Sequence, residues 1–246
     1  TVDPTAAEAA PEAHSVASPE RRIERTSPTR HFTTPADALQ AVLDGNERFV
    51  SGTPLHPNQG ADRRNALANT QEPFVSLFGC SDSRVAAEMI FDVGLGEMFV
   101  IRTAGQVTDG VVLGTLEYAV DLLSTPLLVV LGHDSCGAVT AAHDSFDSGE
   151  TPGGYIDDLV ARIMPSVAHA RAQGREGIPG AVTQNTIDTV HRIPQRSPLI
   201  KRALREGRLE IVGLTYRLDD GRVNTVAHLG PIVDANGTPV DLLTRA

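Results

Sequence analysis

Cysteine, basic residues and long apolar runs are all scarce in this chain of 246 residues. Its 2 cysteines cannot make the disulfide-dense scaffold of a small secreted domain. Lys and Arg number 21 against 31 Asp and Glu, a formal charge of −10. Phosphate recognition needs the opposite surplus, so nucleic acid is not an expected partner. No apolar run approaches the ~18 residues of a membrane-spanning helix, so no membrane partner is expected either. Glycine (22) and proline (16) are too few for a collagenous or low-complexity chain. What is left is a soluble, acidic protein, expected in the cytoplasm and long enough to bury one sizeable core. Its cysteines need another explanation.

Residues 1–31 carry mostly Pro, Ala, Ser, Glu and Arg, with Ile23 the one large aliphatic residue besides Val2 and Val16. Such a segment cannot bury enough apolar surface to offset its ordering entropy, and it is read as a disordered extension. It also lacks the apolar stretch of a secretory signal. Residues 32–246 are read as a single domain.

From Pro35 the pattern changes. PADALQAVLDGNERFVSG places Ala38, Val42, Leu43 and Phe49 at near-helical spacing and closes on Gly52. Four short apolar runs follow, at 73–79, 97–102, 127–132 and 209–216, three of them bounded by glycine or a charged residue, and each reads as a buried strand. A fifth run at 222–229 comes just after Asp219-Asp220-Gly221, a turn short enough for a hairpin. Helical patterns at 84–91, 109–123, 136–146 and 155–206 separate the first four. The alternation predicts an α/β fold: a mostly parallel sheet of four strands plus an antiparallel edge strand, with helices on both faces. In such sheets ligands bind beyond the carboxyl ends of the strands.

Those ends are rich in chemistry. The first strand runs into Cys80-Ser81-Asp82-Ser83-Arg84, the second into Arg102-Thr103-Ala104-Gly105, and the third into His133-Asp134-Ser135-Cys136-Gly137. Both cysteines of the chain therefore collect at one edge of the sheet. Three bland or competing readings stand beside a metal site: a disulfide between Cys80 and Cys136, buried inert thiols, and redox chemistry. None of them uses His133. A cysteine-phosphatase loop needs a longer gap than the one between Cys80 and Arg84, and a redox pair calls for Cys-x-x-Cys where this chain has His-x-x-Cys. Cys80, His133 and Cys136 suit zinc, and three ligands leave a tetrahedral position open, as catalytic zinc sites do. Asp82 is a candidate fourth ligand. Arg84 can pair with that carboxylate in bidentate fashion and hold it off the metal. The metal end thus encodes an open or closed choice.

The CSDSR run (80–84) followed by His133-x-x-Cys136-Gly137 resembles the β-class carbonic anhydrases, most closely actinobacterial members. The similarity extends over residues 35–232 and takes in GNERF (45–49), MFVIRTAG (98–105) and LEYAV (116–120). The resemblance implies reversible hydration of carbon dioxide to bicarbonate and a proton by a zinc-bound hydroxide, with one zinc per chain. It implies Cys80, His133 and Cys136 as metal ligands and Asp82 with Arg84 as the catalytic, gating dyad. It implies a homodimer or dimer of dimers, with the pocket at the subunit interface. Gln71 matches a substrate-binding glutamine, and Phe99, Ala104 and Tyr118 match an apolar pocket wall. Arg102 and Tyr216 match two of the three residues of an inhibitory bicarbonate site, whose tryptophan is replaced here by Leu77; this chain contains no tryptophan. Carbonyl sulfide or carbon disulfide hydrolysis and a non-catalytic zinc protein are the competing functions on the same fold.

Overall fold

The computed structural model describes Phe32 and residues 34–230. The expected disordered extension at 1–31 lies outside the described residues. Five strands form one sheet: β1 (Val75–Cys80), β2 (Met98–Thr103), β3 (Leu127–His133), β4 (Glu210–Tyr216) and β5 (Val223–Leu229). Their order is β2-β1-β3-β4-β5, with β5 antiparallel to β4 and all other pairs parallel. This is the expected sheet.

The strands are buried on both faces because both faces are covered. Leu77, Val129, Leu131, Val212 and Leu214 point to one core, and Phe78, Leu128, Val130 and Ile211 to the other, as a period of two requires. The first core is closed by α1 (Pro35–Val50) and, beyond the short exposed α2 (Ala61–Ala66), by α3 (Ala87–Ile90). The second is closed by α4 (Gly110–Glu117), which runs on as a π-helical turn over Tyr118–Leu122. Past β3, α5 (Gly137–Ser148) and α6 (Ile156–Ala172) form a third cluster around Cys80 and Cys136, and α7 (Gly177–Arg196) and α8 (Pro198–Arg205) complete the second.

Two helical expectations need correction. The pattern at 84–91 yields a helix only over Ala87–Ile90. Asp82 takes the backbone N–H of Arg84 at 2.9 Å and the carbonyl of Asp82 takes that of Val85, which ties residues 82–85 into a turn instead. The stretch 155–206 is three helices. Gly174, at φ 70°, ends the first, and Ser197 starts the third by accepting from the N–H of Ile200 ahead of Pro198.

α1 begins at Thr34, whose side chain accepts from the N–H of Asp37, and buries Ala38, Leu39, Ala41 and Val42. Gly45 in its last turns meets the chain after α3 so closely that a Cβ would lie 1.8 Å from the Phe91 carbonyl oxygen. Next to it, Asn46 donates to the carbonyls of Ile90 and Gly221 and accepts from the N–H of Val223. Gly45 and Asn46 thus fasten α3 and the β4–β5 turn to α1, and through α3 they support the loop that follows β1.

Candidate metal centre

Parallel strands direct their carboxyl ends to one side, so the loops after β1 and β3 meet. Cys80 is the last residue of β1 and His133 the last of β3. Ser135 takes a left-handed conformation (φ 51°), which turns the chain and brings Cys136 back to the N-terminus of α5. Asp134 anchors that turn. Its N–H donates to the Tyr216 carbonyl, and its carboxylate accepts from Leu218 N–H. The ligand atoms of Cys80, His133 and Cys136 consequently lie within 4.8 Å of one another, all three residues buried.

The donors are prepared for a cation. His133 Nδ1 lies 2.8 Å from the carbonyl oxygen of Asp134, which can only accept, so Nδ1 carries the proton and Nε2 a lone pair. Among the described residues, that Nε2 is buried with no hydrogen-bond partner. The two sulfurs are 3.9 Å apart and both cysteines are free. Contact with the Cys136 thiol, aided by His133 and the N–H groups of Gly105 and Asp82, pulls the Cys80 thiol down against burial. Contact with Cys80 and burial together push the Cys136 thiol up. Two buried sulfurs 3.9 Å apart whose ionisations oppose each other, beside an imidazole lone pair, fit a soft divalent cation. Such an ion takes both sulfurs as thiolates and removes the conflict.

Asp82 stands at the rim, its side chain 17% exposed and its Oδ2 4.0 Å from His133 Nε2. Arg84 grips it with Nε on Oδ1 at 2.9 Å and Nη2 on Oδ2 at 2.8 Å. The side-chain bond from that guanidinium holds the Asp82 carboxyl well below the usual carboxylate range. Arg84 Nη2 also reaches the Ser135 carbonyl at 3.4 Å, linking the two ligand loops. Arg102, matched above to an anion site, here donates to the carbonyls of Cys80 at 2.7 Å and Asp82 at 2.5 Å. Leu77 and Tyr216 are both packed into the first core.

The remaining expected site residues divide. Ala104 opens the turn after β2 whose next residue, Gly105, contacts Cys80, so it lies at the metal end. Phe99 pairs in register with Ser76, four residues before Cys80 on β1, which is ~13 Å along a strand. Its ring stacks on Tyr118 with centroids 6.0 Å apart. Tyr118 and Gln71 line an open cavity of about 690 Å³ with Arg64, Leu67 and Leu95. Within one chain, therefore, Gln71, Phe99 and Tyr118 belong together but not with the metal ligands.

Three residues at the centre carried no signal in motif spacing. The Asp134 carbonyl fixes the imidazole tautomer, Gly105 N–H donates to Cys80 Sγ at 3.4 Å, and Asn185 of α7 donates to the Gly105 carbonyl at 3.0 Å. Asp134 could have been found as the neighbour of a ligand histidine. Asn185 lies far along the chain and could not.

Comparison with known proteins agrees with this geometry. The family described as carbonic anhydrase matches residues 75–223. The chain is 50% identical over 200 residues to a carbonic anhydrase of Mycolicibacterium smegmatis, covering 81% of this chain and 97% of that protein. It is 51% identical over the same length to carbonic anhydrase 2 of Mycobacterium tuberculosis, with the same coverage. Among solved structures, the β-carbonic anhydrase CcaA superposes with a TM-score of 0.61 at 26% identity, covering 79% of this chain and 92% of that one. Tetrameric β-carbonic anhydrases from Sordaria macrospora share the fold at a TM-score of 0.62 and 22% identity, covering 79% of this chain and 100% of theirs. A buried Cys-His-Cys group at the strand ends, on this sheet and with these relatives, places the chain in the carbonic anhydrase family, in its β class.

Proposed function

We propose that this chain hydrates carbon dioxide reversibly with a zinc ion held by Cys80, His133 and Cys136, and that Asp82 and Arg84 control the fourth ligand position. The observation that carries the reading is the unpartnered His133 Nε2, buried beside two sulfurs and within 4.0 Å of a carboxylate already paired with arginine. When bound there, zinc supplies a Lewis acid that lowers the pKa of a water ligand and so makes a nucleophile available near neutral pH. Two thiolates neutralise its charge, which weakens that effect and moves the working range toward alkaline pH.

The rest is the work of the chain itself. Asp82 stays ionised because Arg84 holds it, so it can accept a hydrogen bond at Oδ2 and orient the group that donates it. Released from Arg84, the same carboxylate can take the fourth ligand position and close the site. Gln71 supplies an amide donor for a substrate oxygen that gains charge, and Phe99, Ala104 and Tyr118 an apolar wall for carbon dioxide. Gln71, Phe99 and Tyr118 sit at the other end of the sheet from their own chain's metal ligands. β2 is the edge strand of that sheet, and α4 with its π-helical turn exposes Val111, Tyr118 and Leu122. A second copy docked on this side brings its own Gln71, Phe99 and Tyr118 to the metal end of the first, so the working unit is a homodimer or a multiple of it. Among the described residues no helix is long and apolar enough to cross a membrane; the proposed location is the cytoplasm.

Stopped-flow carbon dioxide hydration on zinc-quantified protein, from about pH 6.5 to about pH 9, tests the reading. The expected result is about one zinc per chain and a rate that climbs with pH. Zinc-loaded protein without hydration across that range would refute it.

A further inference from the structure

The turn after β2 touches the centre through its backbone. Gly105 sits in the left-handed region (φ 61°) with its N–H on Cys80 Sγ at 3.4 Å. Gln106 follows, also left-handed at φ 54° and 2% exposed. Two successive left-handed residues, one of them not glycine, are costly and persist only where the surroundings over-determine them. Three contacts supply that constraint for Gly105. A Cβ there would lie 2.6 Å from Ile163 Cδ1 and 2.9 Å from Ala138 Cβ, so α5 and α6 press on the glycine from one side. Cys80 accepts from its N–H. Asn185, 2% exposed on α7, donates Nδ2 to its carbonyl at 3.0 Å.

The buried Asn185 amide serves this turn across the fold. A carboxamide that gave its hydrogen bond to its own helix would stabilise the helix no better than alanine, whereas this one reaches across to a turn 80 positions earlier in sequence. Gly105 N–H lies in the peptide plane before Cα and the carbonyl that Asn185 grips in the plane after it, so the φ and ψ of Gly105 couple the two contacts. A hydrogen bond to a ligating thiolate withdraws electron density from sulfur and tunes how strongly it donates to a metal.

We infer that Asn185 is a positioning residue of the metal centre: by pinning the Gly105 carbonyl it holds Gly105 N–H on Cys80 and limits the charge that this sulfur gives the metal. The inference rests on the Cys80, His133, Cys136 centre proposed above.

Cobalt(II) loaded in place of zinc reports sulfur donation directly, through its thiolate-to-metal charge-transfer absorption. Asn185→Ala and Asn185→Asp both remove the donor, the second with little change of shape. Thr189→Val removes another buried hydroxyl of α7, one that bonds within the helix to the Asn185 carbonyl at 2.7 Å and does not touch the turn. In both Asn185 variants the charge-transfer band moves to longer wavelength, and amide exchange over residues 103–107 speeds up by about tenfold. In Thr189→Val both stay as in the wild type, even where the melting temperature falls equally. A folded Asn185 variant with an unmoved band, or a Thr189→Val band that moves with it, would overturn the positioning role. A wild-type protein that binds cobalt with no thiolate band would instead overturn the metal centre, and this inference with it.

Discussion

The two ends of the sheet hold polar groups in opposite ways. At the carboxyl ends, Cys80, His133, Cys136, Asp82 and Arg84 converge from the loops after two neighbouring strands, and every donor there has a partner or is aimed at one shared point. At the amino ends, Gln71 and Tyr118 line an open cavity, while Glu210 at the start of β4 is 3% exposed with Oε2 unpartnered. Topology causes the difference. In a parallel sheet the carboxyl ends all feed loops on one side, so residues from distant parts of the sequence meet there. The amino ends are reached by returning segments that arrive at the sheet's edge, where a single chain gives them nothing to converge upon. One end gathers a full set of candidate metal ligands from a single chain. The other is half of something, and in our reading a second copy supplies the rest.

The largest effect falls on the carboxyl end. Cys136→Ser removes a thiolate ligand at the mouth of α5 while leaving the fold, so hydration should fall by about a thousandfold and zinc well below one per chain. Metal analysis beside circular dichroism checks it; a folded variant that keeps both zinc and rate would show that the cluster is structural. Asp82→Asn keeps the shape but not the charge. With the Arg84 pair weakened and no carboxylate left to orient the reacting group, the rate should drop by about a hundredfold with zinc retained. Loss of zinc in that variant would instead make Asp82 a permanent ligand.

The amino end gives a sharper test, because its role is proposed to lie in the other subunit. Gln71→Ala alone should cost about tenfold to a hundredfold in rate. Mixed with Cys80→Ser chains after subunit exchange, it should recover. Half of the random dimers then combine the two variants, each with one site built from intact halves, so the mixture should reach about a quarter of wild-type activity. If the mixture stays at the mean of its two components, Gln71 acts on its own chain's metal or not at all, and the contrast between the two ends loses its functional meaning.

This division also governs how much could be read from the sequence. Strand positions and the parallel-plus-edge topology follow from apolar runs of period two and a short Asp219-Asp220-Gly221 turn, both local signals. Cys80, His133 and Cys136 were legible because the first two end recognisable neighbouring strands and Cys136 follows His133 within one turn, where the loops of a parallel sheet meet. The true extent of the helix after Arg84 was not, since the Asp82 side chain captures backbone donors that periodicity assigns to a helix. Gly45 and Asn46 stand in the GNERF segment, read above only as a resemblance; their close approach to Phe91 and the β4–β5 turn is a packing fact visible only in three dimensions. Asn185 was illegible for a related reason. Its partner is a backbone carbonyl, and backbone groups leave no mark on residue identity. Glu210, too, stands at the start of β4, and its burial shows only in three dimensions.

The smallest predicted effect lies with that carboxyl and concerns stability alone. Burial pushes Glu210 up to about 7 from an ordinary value of 4.5. A carboxyl whose folded-state pKa is raised is harmless while protonated, so its environment costs nothing below about pH 4.5. Between there and about pH 7 the unfolded chain ionises and the folded one resists, and folding stability is lost as pH rises; above that range the loss is complete, at most about 3 kcal/mol. The neutral isostere Glu210→Gln carries no such penalty. Thermal melts should therefore show the variant and the wild type alike near pH 4.5 and the variant more stable near pH 8, by several degrees, with hydration kinetics unchanged. An activity change in Glu210→Gln would mean that the two ends of the sheet communicate. A stability difference independent of pH would mean that Glu210 is ionised throughout, and that the amino end, like the carboxyl end, holds a countercharge after all.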